Sequence, residues 1–428
     1  MPPRRIAVIA DSDTRWKWGA SVARQIAPEH ALDAVFLRTR ATPTERQLAE
    51  IGIEPDTRRE VTAAELVDDE ALGEADAVVM ATVGGTTLAL THSLGIAWQG
   101  RERRPVTVTG YVGVVYEKMV DGLLTRAGTD VVLANSAYDA ERFRSAFASV
   151  GVDPETVVEC ALPFLGGEPY APCADRPFTL TFAVQPSVPK GREARLQLLE
   201  RAAAHARRYP DRLVLIKLRS LPGEHTTHVE ANPYQVLVEE LAEPAPGNLQ
   251  LVYGNMAEVL DRTDLLVTVS STAALESMHR GIPTAILTDF GVREAHGNHY
   301  FVHSGCLASW DDLDAGALPR PDPVWAGRQG IGKSDPYGAA RARLAVLRGG
   351  VLPPLRPYYS PRRAGAYLGG ILERNGFDEE GRPLVVSLGG GAGSVRAVVR
   401  RVARSGAKSL YRVGRERVAP TLRRWGAA

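Results

Sequence analysis

The chain has 428 residues, 44% hydrophobic and 24% charged, with 51 Lys and Arg against 50 Asp and Glu. Those fractions belong to a globular protein of about two to three domains and exclude a disordered, collagen-like or coiled-coil chain. A net charge of +1 argues against a strongly basic nucleic-acid binder, although a total near zero can hide two opposed parts. Cys160, Cys173 and Cys306 form no CxxC pair, so no disulfide framework is expected. The apolar run before Asp11 is too short for a signal-peptide core, and no run reaches the ~18 apolar residues of a membrane span. A cytoplasmic protein follows, at most peripheral on the inner membrane face.

In chain order, Ile6–Ala10 reads as a buried strand and Gly19–Ile26 as a helix. Ala77–Ala81 is a strand whose Val83-Gly84-Gly85-Thr86-Thr87 turn opens a helix, followed by strands Val106–Thr109 and Val131–Ala134 and helix Asp139–Ser149. A Pro/Gly-rich stretch over 162–177 interrupts this rhythm, which restarts with strand Phe178–Val184 and a helix over Glu193–Arg207. Strands Leu213–Lys217, Leu249–Tyr253, Leu265–Val269 and Thr284–Leu287 follow, with a helix at Thr272–Arg280. Alternating strands and helices predict an α/β chain of two Rossmann-like, doubly wound parallel-sheet domains, 1–168 and 177–305, facing a cleft. Beyond them lie an irregular region with a returning helix (306–386), a Gly-rich linker (387–394) and a tail (395–428). In α/β sheets of this kind, ligands sit beyond the carboxyl ends of the strands.

Several strand ends carry chemistry. The segment from Asp264 to Pro283 is a strand ending in Ser270, Ser271 and Thr272, then a helix containing Glu276. Hydroxyls and free backbone amides at such a start suit a phosphate, and a plain helix cap is the alternative. Lys217 and Arg219 end an earlier strand and have the chemistry to neutralise phosphate. Gln185, Ser187 and Lys190 occupy the first strand-to-helix loop of the second domain. In the first domain, Asp11 and Asp13 are candidate bases, Asp13 before Asp11. Trp16 and Trp18 are candidates for stacking on a sugar. Gly84, Gly85 and Thr86 allow close approach of an acceptor. Asn135 and Ser136 read as structural capping.

The strand, paired-Ser, Ala-Leu-Glu and Gly-x-Pro pattern of 264–283 resembles the donor segment of GT-B glycosyltransferases. The similarity is to bacterial sialyl- and polysialyltransferases, capsular Kdo transferases and an uncharacterised actinobacterial glycosyltransferase family. The resemblance covers roughly residues 4–305. It implies a GT-B fold with the nucleotide-sugar donor held mainly by the second domain, and a paired Ser motif, here Ser270 and Ser271, on the nucleotide phosphate. It further implies inverting, metal-independent transfer to a glycan or lipid-linked acceptor in cell-surface polysaccharide or glycoconjugate synthesis, with an acidic base from the first domain. Where that group carries a His-Pro pair, this chain has Lys217 and Arg219. Two other readings stand beside it: a sugar-nucleotide 2-epimerase of the same architecture, and a non-catalytic nucleotide- or glycan-binding protein.

Gly327–Ser334 spells a P-loop, but no buried strand precedes it and Pro336 follows, so it is set aside. His296, His299 and His303 have metal-ligand spacing without helical support. No cofactor and no metal are expected; the nucleotide sugar is a co-substrate. The tail carries ten Lys and Arg against the single Glu416, leaving 41 basic and 49 acidic residues elsewhere, a body of net −8. Valines at near-helical spacing make 395–425 a candidate basic amphipathic anchor for an anionic membrane surface; nucleic acid is not expected as a partner.

Overall fold

The computed structural model describes residues 4–114, 118–186, 188–219 and 230–384. Ser187, the loop with His225 and His228, the Gly-rich linker and the basic tail lie outside the described residues.

Thirteen strands are present among the described residues. The first seven are β1 Arg5–Ala10, β2 Ala31–Leu37, β3 Thr57–Val61, β4 Ala77–Ala81, β5 Val106–Gly110, β6 Val131–Ala134 and β7 Val157–Glu159. The other six are β8 Thr179–Ala183, β9 Leu213–Lys217, β10 Leu249–Val252, β11 Leu265–Thr268, β12 Thr284–Leu287 and β13 Leu307–Ala308. They build one sheet of seven, in the order β3-β2-β1-β4-β5-β6-β7, and one of six, β10-β9-β8-β11-β12-β13. Every pairing is parallel, for example Ile6 opposite Ala77 and Leu265 opposite Leu180. This is the two-Rossmann, GT-B-like architecture. β1, β4, β8 and β11 are almost wholly buried because helices cover both faces, so they read as continuous apolar runs.

Each sheet changes winding direction between its first and fourth strand, β1 and β4 in one, β8 and β11 in the other. At those switch points the connections diverge to opposite faces and leave a crevice. Between the domains, Val114 and Leu162 pack into a cluster with Ala183, Ala273 and Leu275 of the second domain.

The expectation of an irregular stretch ahead of the returning helix in 306–386 is corrected, while the returning helix is present as Pro361–Arg374. Helix Trp310–Asp314 is tied to helix Arg192–Arg208 through Asp314, which meets His205 at 2.7 Å and Arg201 at 3.2 Å. Helix Gly338–Gly349 returns to the first domain, where the Tyr337 hydroxyl donates to the Ala161 carbonyl at 2.7 Å and Arg348 meets Asp76 at 2.6 Å. Helix Pro361–Arg374 buries Leu368, Ile371 and Leu372 with Leu88 and Leu94 of helix Gly84–Ala97. Helix 338–349 buries only Ala340 and Leu344 of its twelve residues, which leaves little periodicity to read.

Helix Asp13–Ile26 crosses β1 and β4 at Gly19, where a Cβ would lie 2.6 Å from Val8 Cγ1 and 2.7 Å from Ala81 Cβ. Alanine improves helix propensity by about 1 kcal/mol, but overpacking against two fixed strands costs about 1–3 kcal/mol. Gly19→Ala is therefore expected to lower the urea midpoint with an unchanged m-value. A midpoint equal to or above that of the parent would contradict this packing.

Candidate functional site

The carboxyl ends of both sheets face one cleft of about 480 Å³. From the first domain, Asp13, Thr14 and Lys17 reach it from one face of helix 13–26, and Gln47 and Glu50 from helix Glu45–Ile51. The second domain contributes Gln185, the 217–219 strand end, Ser270 to Ala273 and Glu276.

At the second domain's switch point, Gln185 Oε1 accepts the Ser270 amide at 3.0 Å, joining the connections that leave β8 and β11. The Ser270 hydroxyl donates to the His296 carbonyl at 2.6 Å. Ser271 behaves differently: its Oγ accepts the Ala273 amide at 3.2 Å, which leaves the hydroxyl hydrogen for another acceptor. Thr272 lines the cleft where its methyl approaches Gly113; a Cβ at that glycine would lie 3.6 Å from it. One turn further on, Glu276 is only 5% exposed yet borders the cleft, and its carboxylate has no hydrogen-bond or ion-pair partner among the described residues. Burial holds this carboxyl above its ordinary range, with Lys17 and Arg280 pulling the other way. Lys217 is also buried, and burial pushes its ammonium down to about 8; its Nζ donates to the Leu218 carbonyl at 2.5 Å.

The two expected roles of Asp13 and Arg219 meet in one contact. Arg219 spans the cleft, with Nη2 at 3.3 Å from Asp13 Oδ1, and also donates to the Thr14 hydroxyl. Lys17, one turn after Asp13, lies over the Phe164 ring at 4.7 Å.

Several sequence expectations are corrected. Trp16 and Trp18 are 1% and 0% exposed, because the helix begins at Asp13 and turns both indoles into the core. Trp16 meets Phe36 edge-on at 5.2 Å, and Trp18 packs against Gly110, so neither is available to stack on a sugar. Asp11 has both carboxylate oxygens committed, one to Arg15 at 3.0 Å and one to the Val83 amide at 3.1 Å. It braces the first domain's switch point and is not poised as a base. Gly84 has no room for a Cβ, which would meet the Thr125 hydroxyl at 2.3 Å, and Gly85 faces Ile371. The Thr86 hydroxyl donates to Asn375 at 3.0 Å, so this turn is covered by the returning helix. Lys190 is exposed and away from the cleft lining, and Ser187 lies outside the described residues.

Lys17, Gln47 and Glu50 are cleft residues that sequence reasoning missed. The Thr44–Gln47 capping box was a readable signal for the second of these helices. Lys17 was hidden by expecting the helix to begin only at Gly19. Asn135 and Ser136 are structural: Asn135 Nδ2 donates to the Tyr111 carbonyl at 2.7 Å, and Ser136 Oγ accepts the Asp139 amide at 3.0 Å. The P-loop-like Lys333 pairs with Glu159, and helix Pro323–Arg328 stands where a P-loop needs a strand. Among the described residues, no group of three His, Cys, Asp or Glu side chains converges as metal ligands, and no helix is long and apolar enough to cross a membrane.

Residues 6–347 match a family described as "Putative glycosyltransferase (DUF6716)". No curated protein matches the chain. Among solved structures, it is similar to a "putative UDP-N-acetylglucosamine 2-epimerase" from Listeria monocytogenes, at 16% identity and a TM-score of 0.49, over 81% of this chain and 95% of that one. A structure of S. aureus MnaA with UDP gives 14% and 0.49 over 80% and 95%. HepE from Anabaena, in complex with UDP-glucose, gives 12% and 0.46 over 87% and 98%.

The unpartnered Glu276 carries a stability cost with a defined pH sign. The folded chain binds this proton more tightly than the unfolded one. Stability therefore falls as pH rises from the unfolded value of about 4.3 toward the raised folded value, and stays reduced at neutral pH. Glu276→Gln is expected to melt higher than the parent at pH 7, with the difference shrinking as pH falls through the raised folded value and gone below about 4. An equal or lower melting temperature at pH 7 would contradict an unpartnered buried carboxylate.

Proposed function

This chain belongs to the family described as "Putative glycosyltransferase (DUF6716)", and from that premise we propose that the cleft transfers a sugar from a nucleotide-sugar donor to a glycan or lipid-linked acceptor. The observation that carries this reading is the charge layout of one cleft. Lys217, Ser271 and Arg219 stand at the second domain's strand ends, and the unpartnered Glu276 lies one turn inside. A nucleotide matches that layout: its phosphates take the cations and the Ser271 hydroxyl, and Glu276 accepts hydrogens from sugar hydroxyls. Ser270 and Gln185 hold the loop in place behind Ser271.

Asp13 is the base of this proposal. A bound phosphate competes for Arg219 and draws it from Asp13 Oδ1, now 3.3 Å away. The freed carboxylate accepts the acceptor hydroxyl proton as the acceptor oxygen bonds to the anomeric carbon. The bond from that carbon to the phosphate oxygen breaks, and its electron pair leaves on the nucleotide, where Lys217 and Arg219 balance the charge. Attack opposite to the leaving group inverts the anomeric centre. The 395–425 tail is proposed to hold the protein on an anionic membrane surface, at about 1 kcal/mol per basic residue near that surface.

A panel of CMP, UDP, GDP and their sugars, read by thermal shift, tests the donor site. At least one is expected to stabilise the chain, and Ser271→Ala to weaken it roughly tenfold, the scale of a hydrogen bond to a charged group. No response to any nucleotide would overturn the proposal. Affinity is further expected to decline as pH rises through about 8, where Lys217 loses its proton, and Lys217→Arg should remove that decline. A decline unchanged in Lys217→Arg would take Lys217 out of the site.

A further inference from the structure

A second cavity, of about 710 Å³, opens at the opposite pole of the first domain, where β1, β4 and β5 begin. Because those strands are parallel, this pole faces away from the cleft. The cavity has the volume of a small-molecule site, with Trp98, Leu352 and Leu355 among its apolar lining residues. Its walls carry Arg4, Arg5, Arg101, Arg103, Arg104 and Arg348, against Glu74, Asp76 and Glu102.

Three of the arginines have carboxylate partners. Arg5 meets Asp33 at 2.6 Å, Arg104 meets Asp130 at 2.7 Å and Arg348 meets Asp76 at 2.6 Å. The side chains of Arg4, Arg101 and Arg103 make no hydrogen bond or ion pair among the described residues. Glu74 and Glu102 are exposed, as are Arg4, Arg101 and Arg103, so solvent screens all five alike. Arg101 lies over Gly73, where a Cβ would come within 2.3 Å of its Nη1. Glycine at that position leaves space for a guanidinium that no carboxylate anchors.

Three guanidiniums on one cavity thus keep their hydrogen-bond donors available, with no ion-pair partner among the described residues. A tetrahedral anion with several acceptor oxygens supplies the missing negative charge, and guanidinium forks match its geometry. We propose that this cavity is a cleft-independent site for a phosphate-bearing anion, with its apolar lining residues receiving the less polar part of the ligand. The phosphate comes from a soluble phosphate ester or from a phospholipid headgroup, and the same guanidinium chemistry reads both.

The full chain is titrated with inorganic pyrophosphate by calorimetry at low ionic strength, with Trp98 fluorescence as a second readout. In parallel it is sedimented with phosphatidic acid vesicles and with phosphatidylcholine vesicles. Arg101→Ala/Arg103→Ala, both on exposed side chains, is compared with the parent, so any contribution of the tail cancels. A loss of tenfold or more in pyrophosphate affinity, retained binding in Ser271→Ala, and a Trp98 change absent from the double variant support a soluble phosphate ester. A loss confined to phosphatidic acid vesicles supports the headgroup source. Equal binding by parent and double variant in both arms overturns the proposal. So does a loss matched by Arg362→Ala/Arg363→Ala, since that would be unspecific charge attraction. Pyrophosphate binding abolished by Ser271→Ala would assign the signal to the cleft and also overturn it.

Discussion

A parallel sheet that winds both ways has one place where successive connections leave in opposite directions, and no backbone fills the gap between them. This chain contains two such gaps, and each is bridged by a single side chain. Asp11 reaches across from β1 to the Val83 amide after β4, and Gln185 reaches across from β8 to the Ser270 amide after β11. Two parts of the cleft lie next to those bridges. The first sets where helix 13–26 begins and so which of its residues look outward. The second sets the loop that presents Ser271.

Between the bridges, the cleft holds charge in forms that folding alone does not favour. Among the described residues, the buried Glu276 carboxylate has no hydrogen-bond or ion-pair partner, and the buried Lys217 Nζ donates to a backbone carbonyl with Glu50 acting on it from further off. Desolvation acts on both, raising the carboxyl and lowering the ammonium. The proposed nucleotide offers both a partner: its phosphate a counter-charge for the ammonium, its hydroxyls donors for the carboxylate. The Arg219–Asp13 contact works in the same sense. It pairs two charges across the cleft, and the proposed donor phosphate would compete for the same guanidinium.

Much of the frame was legible from residue pattern, for reasons visible in its strands. Ile6–Ala10, Ala77–Ala81 and Leu265–Thr268 are continuous apolar runs because both faces are covered. β3 escaped notice because its Thr-Arg-Arg-Glu-Val sequence belongs to an exposed edge, and β2 because Asp33 sits within it to pair with Arg5. At the site, the Ser270–Glu276 segment stood out because strand, cap and helix are adjacent in sequence. The Arg219–Asp13 contact did not, since 206 residues separate its partners. Trp16 and Trp18 misled because a tryptophan beside carboxylates reads equally well as a sugar platform or as core. Only the helix start at Asp13 decides between them.

In the proposed function, one nucleotide lies on the second domain's half of the cleft, between Lys217 and Glu276. A crystal structure of the chain soaked with its best-stabilising sugar nucleotide tests it directly. Phosphate oxygens are expected within hydrogen-bond distance of Ser271 Oγ and Lys217 Nζ, with a sugar hydroxyl on Glu276 and Arg219 withdrawn from Asp13. A nucleotide bound elsewhere, with Glu276 still unpartnered and Arg219 still on Asp13, would contradict it.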